Sequence, residues 1–237
     1  RLFEVTGVQT CALPISPFGH AGERALNQLS PHGFRHYQQS LRVVDRLERR
    51  FAGLNLTWEV RNGLVCHTKG AWPATLEGCA VRYADRIAYM NHDIEDAITA
   101  GVLRPEQLPR DVVEVLGDTK SRRISTLIAD LVAHSSQTQL AFSPEVGEAY
   151  EALHAFMYST VYVDKTAKRE EEKVERVIGA LYERLSTHID LLPEGFLQIA
   201  YQEGVYRAVS DYISGMSDEF AIRTFEEFFV PRKWHVL

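Results

Sequence analysis

Hydrophobic side chains recur with a helical period from about residue 17 to the C-terminus. The pattern is strongest over residues 74–100, where apolar positions follow one another at steps of three and four. Gly101 stands where a left-handed residue closes a helix. No pair of alternating strands is visible, so the pattern predicts an all-α fold. The apolar positions of the 74–100 helix are Leu76, Cys79, Tyr83, Ile87, Met90, Ile94 and Ile98.

Weaker signals predict the remaining elements. Residues 34–51 carry an apolar stripe typical of one helix, whereas 51–73, with its glycines and proline, is expected to be mostly loop. Ser143, followed by proline and an acid, predicts a helix start. Near the C-terminus, the spacing predicts one helix over 197–215 and another over 217–229.

Composition limits the classes of protein that fit. The chain has 237 residues, 45% of them hydrophobic, and a net charge of −6. It lacks the run of about 20 apolar residues that a membrane span needs. A protein that coats nucleic acid is usually basic, so nucleic acid is not expected as the main partner. Three cysteines without a CxxC pair give no disulfide framework, which favours a cytoplasmic location.

The first 16 residues do not match the rest of the chain. The string VTGVQTCALPI, residues 5–15, has no helical period and equals the in-frame translation of a common sequencing adapter. We therefore expect residues 1–16 to be a non-native segment, joined to native protein just before Pro17. The alternative is a genuine N-terminal arm.

Two short groups near the N-terminus could carry chemistry. His20 and Glu23 are three residues apart, so on a helix they share a face and could act as an acid–base pair. Arg35 and His36 lie near a predicted helix start, where anions are favoured. Each group also fits a simpler interpretation, a surface pair for the first and a helix cap for the second.

A third group lies on the long predicted helix. Asp85, Tyr89 and Asp93 are spaced at i, i+4 and i+8, and therefore form one line beside Arg86. Asp85 falls at the edge of the apolar stripe, where a carboxylate is costly unless it is paired or binds metal. A solvated helical face remains the alternative. The fourth group, residues 211–221, is interpreted as a structural corner between two helices.

Taken together, five motifs resemble one family, the bacterial deoxyguanosinetriphosphate triphosphohydrolase-like proteins of the HD superfamily. The resemblance runs from Pro17 to the C-terminus. It implies an HD-type helical domain over 17–135, incomplete at its N-terminus, and a helical phosphohydrolase-associated domain over 136–237. The motifs are PFGHAGERALN, GFRHYQQSLRVVDRLE, GLNLTWEVRNG, PATLEGCAVRYADRIAYMNHDIEDAI and DYISGMSDEFA, in that order.

The resemblance also implies a reaction, hydrolysis of a deoxynucleoside triphosphate to the deoxynucleoside and intact triphosphate. It implies a divalent metal ion, Mg²⁺ or Mn²⁺, and a homo-oligomer. Asp85 matches a metal ligand of the family. Catalytic roles are implied for His20, Glu23 and His36, and substrate binding for Arg35, Arg86, Tyr89 and Asp93.

The chain departs from the family before Pro17. A ligand His and an adjacent His-Asp pair are expected there, but the adapter-like string contains neither residue type. The chain as written is therefore expected to be inactive, and its full-length parent active. Two alternatives stay open: another HD phosphohydrolase, such as a nucleotidase or phosphodiesterase, and a module that binds deoxynucleotides without hydrolysing them.

Overall fold

The computed structural model describes residues 16–68, 70–162 and 165–231. Within these residues the secondary structure is helical and contains no strand, which confirms the all-α prediction. No helix in the described ranges is long and apolar enough to span a bilayer. The adapter-like segment lies outside the described residues, apart from Ser16, which is buried.

Eleven α-helices are present in the described parts of the chain. Short 3₁₀ turns at Pro105–Gln107 and Ile189–Leu191 connect some of them. The helices are α1 Gly19–Leu29, α2 His36–Arg42, α3 Trp58–Cys66, α4 Leu76–Thr99, α5 Arg110–Leu116, α6 Lys120–His134, α7 Pro144–Thr160, α8 Lys165–Thr187, α9 Glu194–Glu203, α10 Val205–Ser214 and α11 Asp218–Phe229.

The long helix α4 confirms the strongest sequence pattern. The Thr75 hydroxyl accepts a hydrogen bond from the Gly78 amide at 3.1 Å and caps the first turn. Gly101 has a φ of 71° just past the last turn, as a closing glycine should. The inward residues Met90 and Ile94 are almost completely buried.

The helix predicted over 34–51 ends earlier than expected. Helix α2 continues as a π-helical stretch, Val43–Leu47, and the chain then makes a turn with positive φ at Arg49, Arg50 and Phe51. Phe51 is 38% exposed at this turn and packs edge-to-face on Phe196, with ring centroids 5.2 Å apart. The buried part of the predicted apolar stripe therefore ends at Leu47.

Two other segments differ from the prediction, and in each segment a glycine is the reason. Helix α3 lies within the expected loop 51–73, and Gly63 is buried at a close approach to Gly78 of α4. Here a missing side chain lets two helices touch. The predicted helix over 197–215 is instead two helices, α9 and α10, separated at Gly204, whose φ of 98° interrupts the helical backbone.

Residue contacts divide the chain into two compact units. Unit 1 contains residues 1–56 and 170–237, and unit 2 contains residues 57–169. Each unit has its own apolar core. Contacts thus group the N-terminal and C-terminal segments, whereas the predicted domains 17–135 and 136–237 follow chain order. That predicted boundary stays a prediction.

A buried carboxylate joins the two segments of unit 1. Asp211 of α10 is 1% exposed and accepts hydrogen bonds from Arg42 Nε at 2.8 Å and Nη2 at 2.7 Å. Gln39 Nε2 donates to the same carboxylate at 2.9 Å. Arg42 also pairs with Glu203 at 2.8 Å. A buried charge is tolerated only with such partners, so this network fixes α2 against α10.

The substitution Asp211→Ala is expected to lower the free energy of unfolding by about 3 kcal/mol, because it removes one of the two acceptors of Gln39 Nε2 and leaves part of Arg42 buried without an acceptor. Urea denaturation of the 237-residue chain measures the change. The matched control is Asp190→Ala, an exposed aspartate of the same unit, for which we expect a change below about 0.5 kcal/mol. Equal stability of the two variants would contradict the assigned role.

Candidate functional site

The turn that begins α1 shapes the first group of candidate residues. Phe18 and Gly19 have φ values of 62° and 55°, so the chain reverses sharply just before His20. The turn folds back over Gly22, where an added Cβ would lie 1.8 Å from the Pro17 carbonyl oxygen. The two glycines of the PFGHAGE motif therefore make this turn possible. Gly19 adopts the positive φ, and Gly22 leaves room for the Pro17 carbonyl.

Glu23 and His36 form the central contact of the group in unit 1. Glu23 Oε1 accepts a hydrogen bond from the His36 backbone amide, and Oε2 contacts His36 Nδ1, both at 3.0 Å. The ring of His20 stands edge-on to that of His36, with centroids 6.4 Å apart. The structure thus brings together the three residues that the sequence singled out for catalysis.

Burial and the neighbouring imidazoles shift the pKa of Glu23 in opposite directions. Its side chain is only 13% exposed, and this desolvation raises the pKa of the carboxyl group. The hydrogen bonds from His36 and the charges of His36 and His20 outweigh it, so the net pKa is lowered from 4.5. Glu23 is therefore held as a carboxylate that can orient an imidazole and stabilise its protonated form.

Arg35 precedes this pair and is exposed on extended backbone. It lines an open cavity of about 350 Å³ in unit 1, together with Gln38, Arg42, Arg46 and Arg207. Four arginines and one acid, Asp45, line the cavity, and the guanidinium groups of Arg42 and Arg46 are paired with carboxylates. The contact of Arg35 with phosphate therefore stays a prediction.

The second group lies on α4 in unit 2. Asp85, Arg86, Tyr89 and Asp93 are all half-buried, as the spacing along one helical face predicted. Arg86 is hydrogen-bonded to Tyr89, and burial raises the pKa of the Tyr89 hydroxyl despite that cation. Asp93 accepts a hydrogen bond from the hydroxyl of Tyr162.

Two tyrosines of this group were not predicted from the sequence. Tyr162 follows α7, and its contact with Asp93 spans 69 residues. Tyr150 of α7 is 3% exposed and lies below Arg86, whose guanidinium carbon is 5.7 Å from the ring centroid. Burial raises the pKa of both tyrosines. Only tertiary packing places these hydroxyls beside α4, because neither belongs to a local motif.

The described residues do not complete a metal centre. Nowhere in residues 16–68, 70–162 and 165–231 do three His, Cys, Asp or Glu side chains lie close enough to hold an ion. Asp85 is the single predicted ligand among them. Its role, and the catalytic and binding roles of the other residues, remain predictions.

Comparison with known proteins identifies relatives of the whole described chain. A profile of the phosphohydrolase-associated domain matches residues 140–227. A deoxyguanosinetriphosphate triphosphohydrolase-like protein of Caldanaerobacter subterraneus subsp. tengcongensis is 46% identical over 220 residues. Proteins of the same description from Clostridium perfringens strain SM101 and Geobacter metallireducens are 37% identical over 225 residues and 34% identical over 271 residues.

These matches cover nearly all of the chain but not all of each relative. The first covers 92% of this chain and 65% of the Caldanaerobacter protein. The other two cover 91% of this chain, with 66% of the Clostridium protein and 70% of the Geobacter protein. The chain therefore spans about two thirds of the length of the relatives it matches.

The substitution Glu23→Gln should destabilise the chain by about 1 kcal/mol at pH 7, because a hydrogen bond to a charged acceptor becomes a neutral one. The folded-state pKa of Glu23 is lowered, so its stabilising contribution is present above pH 4.5 and is lost as the pH falls through that lowered pKa.

Urea denaturation between pH 7 and pH 3 measures this dependence. The difference in unfolding free energy between wild type and Glu23→Gln should decrease as the pH falls toward 3. The exposed Glu183→Gln on α8 is the control, with no difference expected at any pH. A gap that stays constant down to pH 3 would contradict the lowered pKa.

Proposed function

Because the chain belongs to the family of deoxyguanosinetriphosphate triphosphohydrolase-like proteins, we propose that the whole protein hydrolyses a deoxynucleoside triphosphate, for which dGTP is the first candidate. The products are the deoxynucleoside and inorganic triphosphate. The observation that carries the proposal is the Glu23–His36 pair with His20 beside it.

This group of side chains suits the proposed bond cleavage. An oxygen derived from water attacks the α-phosphorus, the bond from that phosphorus to O5′ breaks, and O5′ leaves with a proton. An imidazole held by a carboxylate can transfer that proton near neutral pH. In this proposal His20 and His36 face the phosphates, and Glu23 keeps His36 oriented.

The proposal also gives substrate-binding roles to residues of α4. Arg86 offers a guanidinium to phosphate oxygens, which match its planar set of donors. Asp93 and Tyr89 would bind the 3′-hydroxyl of the deoxyribose, since a carboxylate accepts and a phenol donates or accepts hydrogen bonds. Tyr162 joins this proposal because its hydroxyl already bonds Asp93.

A divalent ion, Mg²⁺ or Mn²⁺, is part of the proposal for the whole protein. Asp85 would supply one oxygen ligand, and an ion of this kind lowers the pKa of bound water and neutralises phosphate charge. The described residues do not fit an ion by themselves, since no three ligating side chains lie together. A homo-oligomer and a cytoplasmic location also remain predictions.

The 237-residue chain itself is expected to release no triphosphate from dGTP with Mn²⁺ above the enzyme-free rate, since one ligand cannot fix a catalytic ion. A family protein of full length, carrying this chain's residues 17–237, should release it. Anion-exchange chromatography identifies the product. Turnover by the short chain at the full-length rate would refute the expected inactivity.

The same assay separates the other candidate functions. Phosphate or a nucleoside monophosphate as product would indicate another HD phosphohydrolase. Saturable dGTP binding by the full-length protein without any product would indicate a binding module. Triphosphate as the product supports the proposed reaction.

The substitution Asp93→Ala in the full-length protein should raise KM for dGTP at least tenfold, because it removes the acceptor proposed for the sugar. Asp96→Ala is the matched control, an exposed aspartate one turn further along α4, and should leave KM within twofold. Steady-state kinetics measures both. Similar KM values for the two variants would exclude Asp93 from the binding site.

A further inference from the structure

Asp218, the first residue of α11, contacts a backbone amide that lies 200 residues earlier in the chain. Its Oδ1 accepts a hydrogen bond from the Phe18 amide at 2.8 Å. An acid in a first helical turn ordinarily stabilises its own helix. The cap of α11 is already made by Ser217, whose hydroxyl accepts from the Phe220 amide. The bond to Phe18 is therefore a long-range contact in addition to the local role.

The amide that Asp218 binds belongs to an unfavourable turn. Phe18 has φ 62° and ψ 27°, a left-handed conformation that is unfavourable for a residue with a Cβ. The hydrogen bond from its amide to the Asp218 carboxylate, at the protein surface, favours this conformation. His20 is the second residue after Phe18, so the direction in which His20 leaves the turn depends on this conformation.

The corner that carries Asp218 is itself fixed. Asp211, seven residues earlier, is bound by Arg42 and Gln39 of α2. Gln39 also donates to the hydroxyl of Ser214, at the end of α10. Because α2 begins at His36, one corner between α10 and α11 contacts both the turn before His20 and the helix that begins at His36.

We propose that Asp218 is a positioning residue for His20, which it keeps beside the Glu23–His36 pair by holding the turn at Phe18. The proposal depends on the proposed function in one respect only, which is that the positioned His20 takes part in hydrolysis. Asp218 touches no reacting atom and acts through the backbone of another segment.

Three variants of the 237-residue chain separate this role from helix stabilisation. Asp218→Ala removes the acceptor, and Asp218→Asn keeps an Oδ1 that can accept the same hydrogen bond. Glu219→Ala is the matched control, because it removes an acid from the same helical turn. Among the described residues, Glu219 pairs with Arg223 of its own helix. NMR reports hydrogen exchange of the Phe18 amide and the ring signals of His20.

Asp218→Ala should speed exchange of the Phe18 amide about tenfold, the effect of one lost hydrogen bond, and should shift the His20 ring signals. Asp218→Asn should restore both, and Glu219→Ala should change neither. Unchanged exchange or unchanged His20 signals in Asp218→Ala would overturn the proposal. Equal changes in Glu219→Ala would also overturn it, since they would assign the effect to charge at the helix start.

Steady-state kinetics of the full-length protein provides a second, independent test of the role of Asp218. Asp218→Ala should lower kcat for dGTP about tenfold with KM unchanged, and Asp218→Asn should recover it. An unchanged kcat in an active protein would overturn the proposal. If the wild-type protein releases no triphosphate from any deoxynucleotide, the proposed function fails, while the NMR comparison still decides whether Asp218 positions His20.

Discussion

The buried carboxylate of Asp211 is the contact on which unit 1 depends most. It accepts hydrogen bonds from two side chains of α2, Arg42 and Gln39, that lie 169 and 172 residues away in sequence. A carboxylate that is 1% exposed would strongly destabilise the fold without these donors. The need to satisfy one charge therefore fixes how the N-terminal segment packs on the C-terminal segment.

The ion pairs of Arg42 with Asp211 and Glu203 explain why a buried carboxylate is tolerated here. Burial alone would lower the pKa of the guanidinium, but hydrogen bonds to Asp211 and Glu203 raise it on balance. The same contact lowers the pKa of Glu203, against the effect of its own partial burial. Arg42 and Glu203 thus each favour the charged form of the other, and the loss of one partner from such a network is costly.

The candidate chemistry of unit 1 is built outward from this network. Helix α2 is held by Asp211, and its first residue, His36, is held by Glu23. In unit 2, α4 carries the second group on one half-buried face, beside tyrosines from the following helix and turn. In both units a polar side chain is fixed by neighbours distant in sequence, which is the arrangement that a preorganised site requires.

The sequence determined the elements whose signals are local. The 3.6-residue period located α4, the capping residue Ser143 marked a helix start, and motif order indicated the family. The catalytic candidates were also visible, since His20 and Glu23 lie within one turn. Local signals suffice here because spacing along one helix fixes which side chains share a face.

Only the tertiary structure decided what depends on contacts between distant segments. It placed a helix in 58–66, where Gly63 allows a close approach to Gly78, and it broke the predicted C-terminal helix at Gly204. It also supplied Tyr162 as a partner of Asp93, and it packed the corner at 211–221 against the two segments that carry the catalytic candidates of unit 1. The spacing of residues along the chain cannot predict such pairs, because a hydrogen bond between residues 200 positions apart produces no periodic pattern in the sequence.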